Sequence, residues 1–220
     1  LADFLRSDLL GPAPHGFSLR SGLVAGDVLR GAHLVLAKQV HSPAVMIVHG
    51  QWAAPPEADA LVTTRRGLLL GIVTADCAPV LLVDAQAGVI GAAHAGWRGA
   101  VGGVIDNTVG AMVSQGAQVA DIRAVIGPTI AQENYEVDED FRDAFEDEDT
   151  PFFSFGAPGK RLFNLPAYVA HRLAAAGVGH VADLGEDTYA QDARFFSYRR
   201  ATHRGEPTGG RQLSVIGLPA

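Results

Sequence analysis

Three short apolar runs sit together near the middle of the chain, at residues 68–74, 79–83 and 89–93. Each is bounded by Asp, Gly or Gln, which is the pattern of buried strands. Asp76, Cys77 and His94 fall at the ends of these runs, where side chains from different strands can converge. Upstream, residues 15–20, 33–40, 44–48 and 60–64 also read as strands, separated by Pro43 and by Pro55-Pro56.

After residue 98 the period changes. Val101, Val104, Ile105, Val109, Met112 and Val113 recur at three- and four-residue spacing, which predicts one helix opening near Gly99. Gly102 and Gly103 weaken that helix by roughly 1 kcal/mol each against Ala, and glycines there permit close approach of a backbone or a ligand. Residues 122–126 read as a strand ended by Gly127-Pro128. Val137, Phe141 and Phe145 repeat every fourth residue, so a second helix is expected through an acidic segment, with Asp138, Glu139 and Asp140 in its first turn. Asn164 is a good N-cap for a third helix, whose buried stripe is Leu165, Val169 and Leu173 and whose stop is Gly177. Residues 178–184 and 212–216 are further strands, with a flexible turn at 202–210. Many strands with about three helices between them predict an α+β layered architecture. A length of 220 residues fits one domain over 1–220.

Composition narrows the function classes. Apolar residues make up 48%, enough for a sizeable core. The single cysteine excludes an internal disulfide and suits a reducing compartment, so the expected location is cytoplasmic. No signal-peptide pattern is visible, and no unbroken apolar run reaches the roughly 18 residues of a membrane span. The net charge is −7, with much of the acid between residues 136 and 149. That balance argues against non-specific nucleic-acid binding, which needs a basic face.

Several chemistries remain open on residue type alone. His41, Cys77 and His94 each follow or end a strand, and a thiolate with two imidazoles suits zinc and leaves a fourth position for a reactant. The same Cys77 and His94 suit a thiolate–imidazolium pair, with Asp76 orienting the base. A free cysteine also packs well in a core. Residues 95–99 (Ala-Gly-Trp-Arg-Gly) lead into the predicted helix, so Arg98 and the helix N-terminus form a candidate anion site, to which Arg199, Arg200 and Arg211 add charge if the fold brings them near. A phosphate-binding P-loop, a dinucleotide fingerprint and a Gly-X-Ser-X-Gly elbow are all absent. The chain has eight histidines and no His-X-His, too few donors for a multicopper electron-transfer centre.

Taken together, these segments resemble the laccase-domain family, also called YfiH-type or multicopper polyphenol oxidase-like. The resemblance rests on Lys38-Gln39-Val40-His41, on residues 58–63 (Ala-Asp-Ala-Leu-Val-Thr), and on residues 74–80 around Ala75-Asp76-Cys77. It continues through His94-Ala95-Gly96-Trp97-Arg98-Gly99, Ile126-Gly127-Pro128, Tyr135-Glu136-Val137, residues 195–200 and Gly210-Arg211, and so covers nearly the whole chain. It implies a mixed-sheet α/β/β/α four-layer domain and a zinc site made by His41, Cys77 and His94, with copper as the alternative metal. The activity it implies is phosphorolysis of adenosine, inosine, guanosine and methylthioadenosine, with adenosine deamination at the side. Purine nucleosides and phosphate are then the partners, Arg98 the candidate phosphate clamp, and Asp76 the candidate general base or orienting group. Copper-dependent phenol oxidation and a Cys–His hydrolase tied to peptidoglycan editing also attach to the group. The chain departs from the family's pattern in a shortened loop at residues 22–30, which borders the site in the family. It also carries Asp187 where many members have a cysteine.

Overall fold

The computed structural model describes residues 3–219. The strands, in chain order, begin with β1 (Phe4–Leu5), β2 (His15–Ser18), β3 (His33–Val35), β4 (Val45–Ile47) and β5 (Ala60–Thr63). The three central apolar runs become β6 (Leu68–Thr74), β7 (Ala78–Asp84) and β8 (Val89–Ala95). Then come β9 (Arg123–Ile126), β10 (Glu136–Asp138), β11 (Phe153–Phe155), β12 (Lys160–Phe163), β13 (His180–Asp183) and β14 (Gln212–Gly217). The α-helices are α1 (Ala25–Val28), α2 (Trp97–Val101), α3 (Val104–Ser114), α4 (Leu165–Ala175) and α5 (Tyr198–Arg204). No helix among the described residues is long and apolar enough to cross a membrane.

The strands form a five-stranded sheet, β1-β2-β14-β6-β3, and a six-stranded sheet, β13-β9-β7-β8-β5-β4, with a small sheet β10-β12-β11 beside them. Both large sheets are mixed: β3 runs parallel to β6, β4 to β5 and β13 to β9, and the other pairs are antiparallel. Strand β7 shows why its sequence is apolar at every position before Asp84. Its even residues, Val80 and Leu82, pack with Ile105, Val109, Val169 and Leu173 of α3 and α4. Its odd residues, Leu81 and Val83, pack with Phe17, Leu70 and Ile72 of the facing sheet. A strand between two apolar layers loses the usual alternation and reads as a continuous run. The fourth layer is thin. On the outer face of the five-stranded sheet, a Cβ at Gly16 would meet Leu23 at 3.0 Å and one at Gly217 would meet Leu29 at 3.0 Å. The segment around α1 thus lies directly on the sheet, and glycines make room for it.

Several expected elements change form. The helix expected from Gly99 is two helices, α2 and α3, because Gly103 takes φ 93° between them. The close approach expected at Gly102 and Gly103 falls instead at Gly99, where a Cβ would stand 3.3 Å from the Ser42 carbonyl oxygen. No α-helix runs through Val137, Phe141 and Phe145; the segment is β10 followed by 3₁₀ turns at Glu139–Ala144 and Asp147–Phe152. A helix there would align Glu139, Asp143 and Asp147 at four-residue spacing, and like charges at that spacing repel. Phe141 and Phe145 instead enter a cluster with Trp97, Phe153 and Phe163. The strand expected over 33–40 ends at Val35, after which the chain peels off toward His41. The turn expected at 202–210 begins as helix, since α5 runs to Arg204. The third helix is as expected, with the Asn164 side chain accepting from the Ala167 N–H at 3.1 Å.

Between the large sheets the packing leaves no spare room at Gly127, where a Cβ would lie 2.2 Å from the Phe17 ring. Overpacking of this kind costs about 1–3 kcal/mol. Gly127→Ala is therefore expected to lower the thermal melting midpoint by a few to about 10 °C. An unchanged melting curve would show that the sheets are not in contact there.

Candidate metal and anion site

Strand order brings the site residues to one end of the six-stranded sheet. Neighbours β5, β8 and β7 alternate in direction, so the start of β5, the end of β8 and the start of β7 share an edge. Asp59 lies just before β5, His94 lies near the end of β8, and Cys77 lies just before β7. His41 reaches the same edge from the loop between β3 and β4. Gln39 fixes that loop by pairing both ways with the Val73 backbone, donating to its carbonyl at 2.8 Å and accepting from its N–H at 2.9 Å.

The carboxylate of Asp59 organises this edge. It is fully buried and accepts from the N–H groups of Val40, His41 and Ser42 at 3.1, 2.9 and 2.7 Å. It also accepts from Ser42 Oγ at 2.9 Å and from His94 Nδ1 at 2.8 Å. Burial alone would raise its pKa, but these donors outweigh burial and hold it well below the usual carboxylate range. Because a carboxylate can only accept, His94 carries its proton on Nδ1 and turns Nε2 toward Cys77.

Cys77 Sγ lies 3.8 Å from His41 Nε2, and one donor atom each of His41, Cys77 and His94 lie within 4.8 Å of one another. Zinc bonds of about 2.0–2.3 Å place tetrahedral ligands roughly 3.3–3.6 Å apart, so a small contraction suffices. The cradle is shaped for this: a Cβ on Gly96 would stand 2.9 Å from Cys77 Sγ and 2.9 Å from His41 Cδ2. One thiolate and two imidazoles suit zinc or copper. Electrostatics prepare the same state. Burial would raise the Cys77 pKa, but hydrogen bonds from His41 and His94 lower it from 9.0 to about 7. Burial would lower the His94 pKa, but Asp59 and Cys77 raise it to about 9. Without metal, the pair is thus a thiolate beside an imidazolium near neutrality.

Among the described residues, two non-glycine residues have positive φ, and both stand here: His41 at 61° and Asp76 at 86°. Such strain persists only where surrounding bonds over-determine the backbone. Around Asp76 these bonds are plain. Its carbonyl accepts from Ile130 N–H at 3.0 Å and Thr129 Oγ1 at 2.7 Å. Its carboxylate accepts from Thr188 Oγ1 and from the Arg199 N–H, each at 2.7 Å.

The cluster opens into a cleft of about 640 Å³ whose walls include Asp76, Arg98, Tyr135, Tyr198, Arg199 and Arg211. Arg98 lies over the Trp97 ring at 4.3 Å, and Arg199 lies over Tyr135 at 5.1 Å. Burial, with the Cys77 charge adding to it, pushes the Tyr135 phenol far above its ordinary value, so it stays neutral. Of the arginines weighed from sequence, Arg199 and Arg211 join Arg98 at the cleft. Arg200 does not: it is buried and donates to the carbonyls of Thr188, Tyr189 and Phe195. The anion setting also differs from the expected helix N-terminus, because α2 is five residues long and its dipole is small. The short loop 22–30 contributes nothing to the cleft wall. Asp187 accepts from Ala131 N–H, Tyr189 N–H and Asn134 Nδ2 at 3.1, 2.9 and 2.6 Å.

Asp59 stands inside a family motif, at residues 58–63, with no role assigned to it from sequence. The signal was present, since an acid opening a wholly apolar strand must find donors. Thr188 and Tyr135 carried no comparable signal.

The family model described as multi-copper polyphenol oxidoreductase laccase matches residues 20–219. A protein named purine nucleoside phosphorylase from Deinococcus radiodurans is 43% identical over 198 residues, covering 90% of this chain and 73% of its own. Adenosine deaminase RL5, from an unknown prokaryotic organism, is 36% identical over 185 residues, covering 76% of this chain and 70% of its own. The solved structure of YlmD from Geobacillus stearothermophilus superposes with a TM-score of 0.84 at 27% identity, covering 100% of both chains.

Two outcomes test the geometry. Asp59→Asn replaces one acceptor oxygen by a donor facing donors, and is expected to weaken zinc affinity about 10–100-fold in competition with a chromophoric chelator. In chelator-treated protein, alkylation of Cys77 by iodoacetamide should rise through a midpoint near pH 7, since a lowered pKa exposes thiolate at lower pH. A midpoint at the ordinary 9.0 would contradict the pairing with His41 and His94.

Proposed function

Because the chain belongs to the multi-copper polyphenol oxidoreductase laccase family, we propose that it is a zinc-dependent purine nucleoside phosphorylase with adenosine deaminase side activity. Adenosine, inosine, guanosine and methylthioadenosine are its substrates in this reading, and phosphate its co-substrate. The carrying observation is one cleft that joins a His–Cys–His donor set to three arginines. The names of relatives, a phosphorylase and a deaminase, point to the same nucleoside chemistry.

His41, Cys77 and His94 would hold the ion, which supplies Lewis-acid polarisation of a substrate oxygen or of water. Everything else falls to the chain's own groups. Phosphorolysis forms a bond from a phosphate oxygen to ribose C1′, breaks the bond from C1′ to the purine nitrogen, and leaves the purine to take up a proton. Phosphate is its own nucleophile, so the protein's task is to bind and align it. Arg98, Arg199 and Arg211 supply planar donors that suit a phosphate. The neutral Tyr135 hydroxyl is a donor in the same cleft. Of the two catalytic candidates, Arg98 offers a guanidinium in the cleft lining, and Asp76 offers a carboxylate that neighbours already occupy.

A second reading, a Cys–His hydrolase acting on an amide, draws support from the line Asp59–His94–Cys77. The carboxylate that orients the imidazole is Asp59, not the Asp76 expected from sequence. Copper-dependent phenol oxidation has less support. Among the described residues, one group of three or more metal-donor side chains comes together, and multicopper centres need more histidines than that.

Zinc-loaded protein given adenosine and phosphate is expected to release adenine and ribose 1-phosphate. Arg98→Ala should raise the KM for phosphate about tenfold or more, the cost of losing one charge-assisted contact. Absence of product from fully metallated protein would refute the phosphorylase. Chelation separates the two readings: it should abolish phosphorolysis, whereas a thiol hydrolase would keep or gain activity.

A further inference from the structure

The bonds of Asp76 reach well beyond the residue next to it. Thr188, whose hydroxyl meets one carboxylate oxygen, sits in the loop between β13 and α5 and is fully buried. The other oxygen takes the Arg199 N–H, which belongs to the first turn of α5. That turn has free amides by construction, and Ser197 accepts only from the Arg200 N–H, at 3.1 Å. Asp76 therefore completes the cap of α5 from another part of the chain, 123 residues away in sequence.

The residues so held are Tyr198 and Arg199. Both line the metal-side cleft, and both also line an adjoining cavity of about 680 Å³, so the start of α5 forms the wall between the two. The Arg199 guanidinium is fixed at its far end as well, by a hydrogen bond to the Glu136 carbonyl and by the Tyr135 ring. We propose that Asp76 is a positioning residue: by capping α5 across the cleft it aims Arg199 at the phosphate, and it is not the proton acceptor of the reaction. The proposal rests on the phosphorylase reading for the identity of the anion.

Hydrogen-bond chemistry makes the two roles separable. The hydroxyl of Thr188 can accept as well as donate. In Asp76→Asn the amide oxygen can take the Arg199 N–H while the amide nitrogen donates to Thr188 Oγ1, so both bonds survive. Asn also tolerates the left-handed backbone at this position. Asp76→Gly removes both bonds and brings no Cβ strain at φ 86°.

The experiment compares the parent, Asp76→Gly and Asp76→Asn by calorimetric titration of inorganic phosphate, by amide exchange at Arg199 followed by NMR, and by steady-state kinetics. Asp76→Gly is expected to weaken phosphate binding about tenfold and to speed exchange of the Arg199 amide, raising KM more than it lowers kcat. Asp76→Asn is expected to recover all three to within about threefold of the parent. The proposal is overturned if Asn loses kcat as fully as Gly while phosphate affinity and Arg199 protection stay intact, because the carboxylate would then be the base. It is equally overturned if Gly leaves the Arg199 amide protected. Should Asp76→Gly fail to fold, Thr188→Val removes one donor and keeps the carboxylate. It must then speed Arg199 exchange, and no change would overturn the proposal. Exchange needs no substrate, so this comparison stands or falls apart from the nucleoside reading.

Discussion

One buried carboxylate sets the geometry on which the rest of the site depends. Asp59 has no solvent, so its charge is tolerable only while five donors surround it. Four of those donors belong to residues 40–42, which fixes the loop carrying His41 to the start of β5. The fifth is His94, whose ring is thereby turned to present Nε2. Two of the three candidate donors are thus aligned by the same group. The third, Cys77, is brought in by the register of β7 with β8, which sets Pro79 opposite His94. Orientation by an outer carboxylate is a general means of fixing a histidine ligand. Here one carboxylate does it for a second ligand's backbone as well.

The two halves of the site are stabilised differently. The donor cluster is held by strands and by Asp59, inside a core that is apolar on both faces of the six-stranded sheet. The anion side is held by loops and by α5, through Thr188, Arg200 and the carboxylate of Asp76. The first half is held by packing and by the hydrogen bonds of Asp59, the second by the hydrogen bonds of Asp76 and Arg200. That division leaves the candidate donors and Arg199 each set by its own group of contacts.

Legibility followed the same division. The runs that become β6, β7 and β8 are plain, because a strand buried on both faces is apolar along most of its length. The convergence of His41, Cys77 and His94 is a weak signal in residue type and strand ends, and the family motifs make it specific, since a spacing of tens of residues says nothing about distance. Elements governed by longer contacts were misread. Phe141 and Phe145 keep a helical spacing, yet both answer to an aromatic cluster with Trp97 and Phe163. Gly102 and Gly103 were seen to weaken a helix, but that they divide it follows from the backbone of Gly103 alone. Asp76 is a candidate base or orienting group by position alone, and its hydrogen-bond partners, Thr188 and Arg199, lie beyond any local pattern.

The position of β14 has a consequence for how the molecule is made. This strand lies between β2 and β6, pairing with both, so the five-stranded sheet has a gap at its centre until residues 212–217 are present. Strands β2 and β6 leave the ribosome long before it. During synthesis they expose unpaired edges and one apolar face, and neither can close on the other. The sheet that backs the donor edge is therefore completed only once residues 212–217 have been made, and the nascent chain depends on staying unaggregated until then.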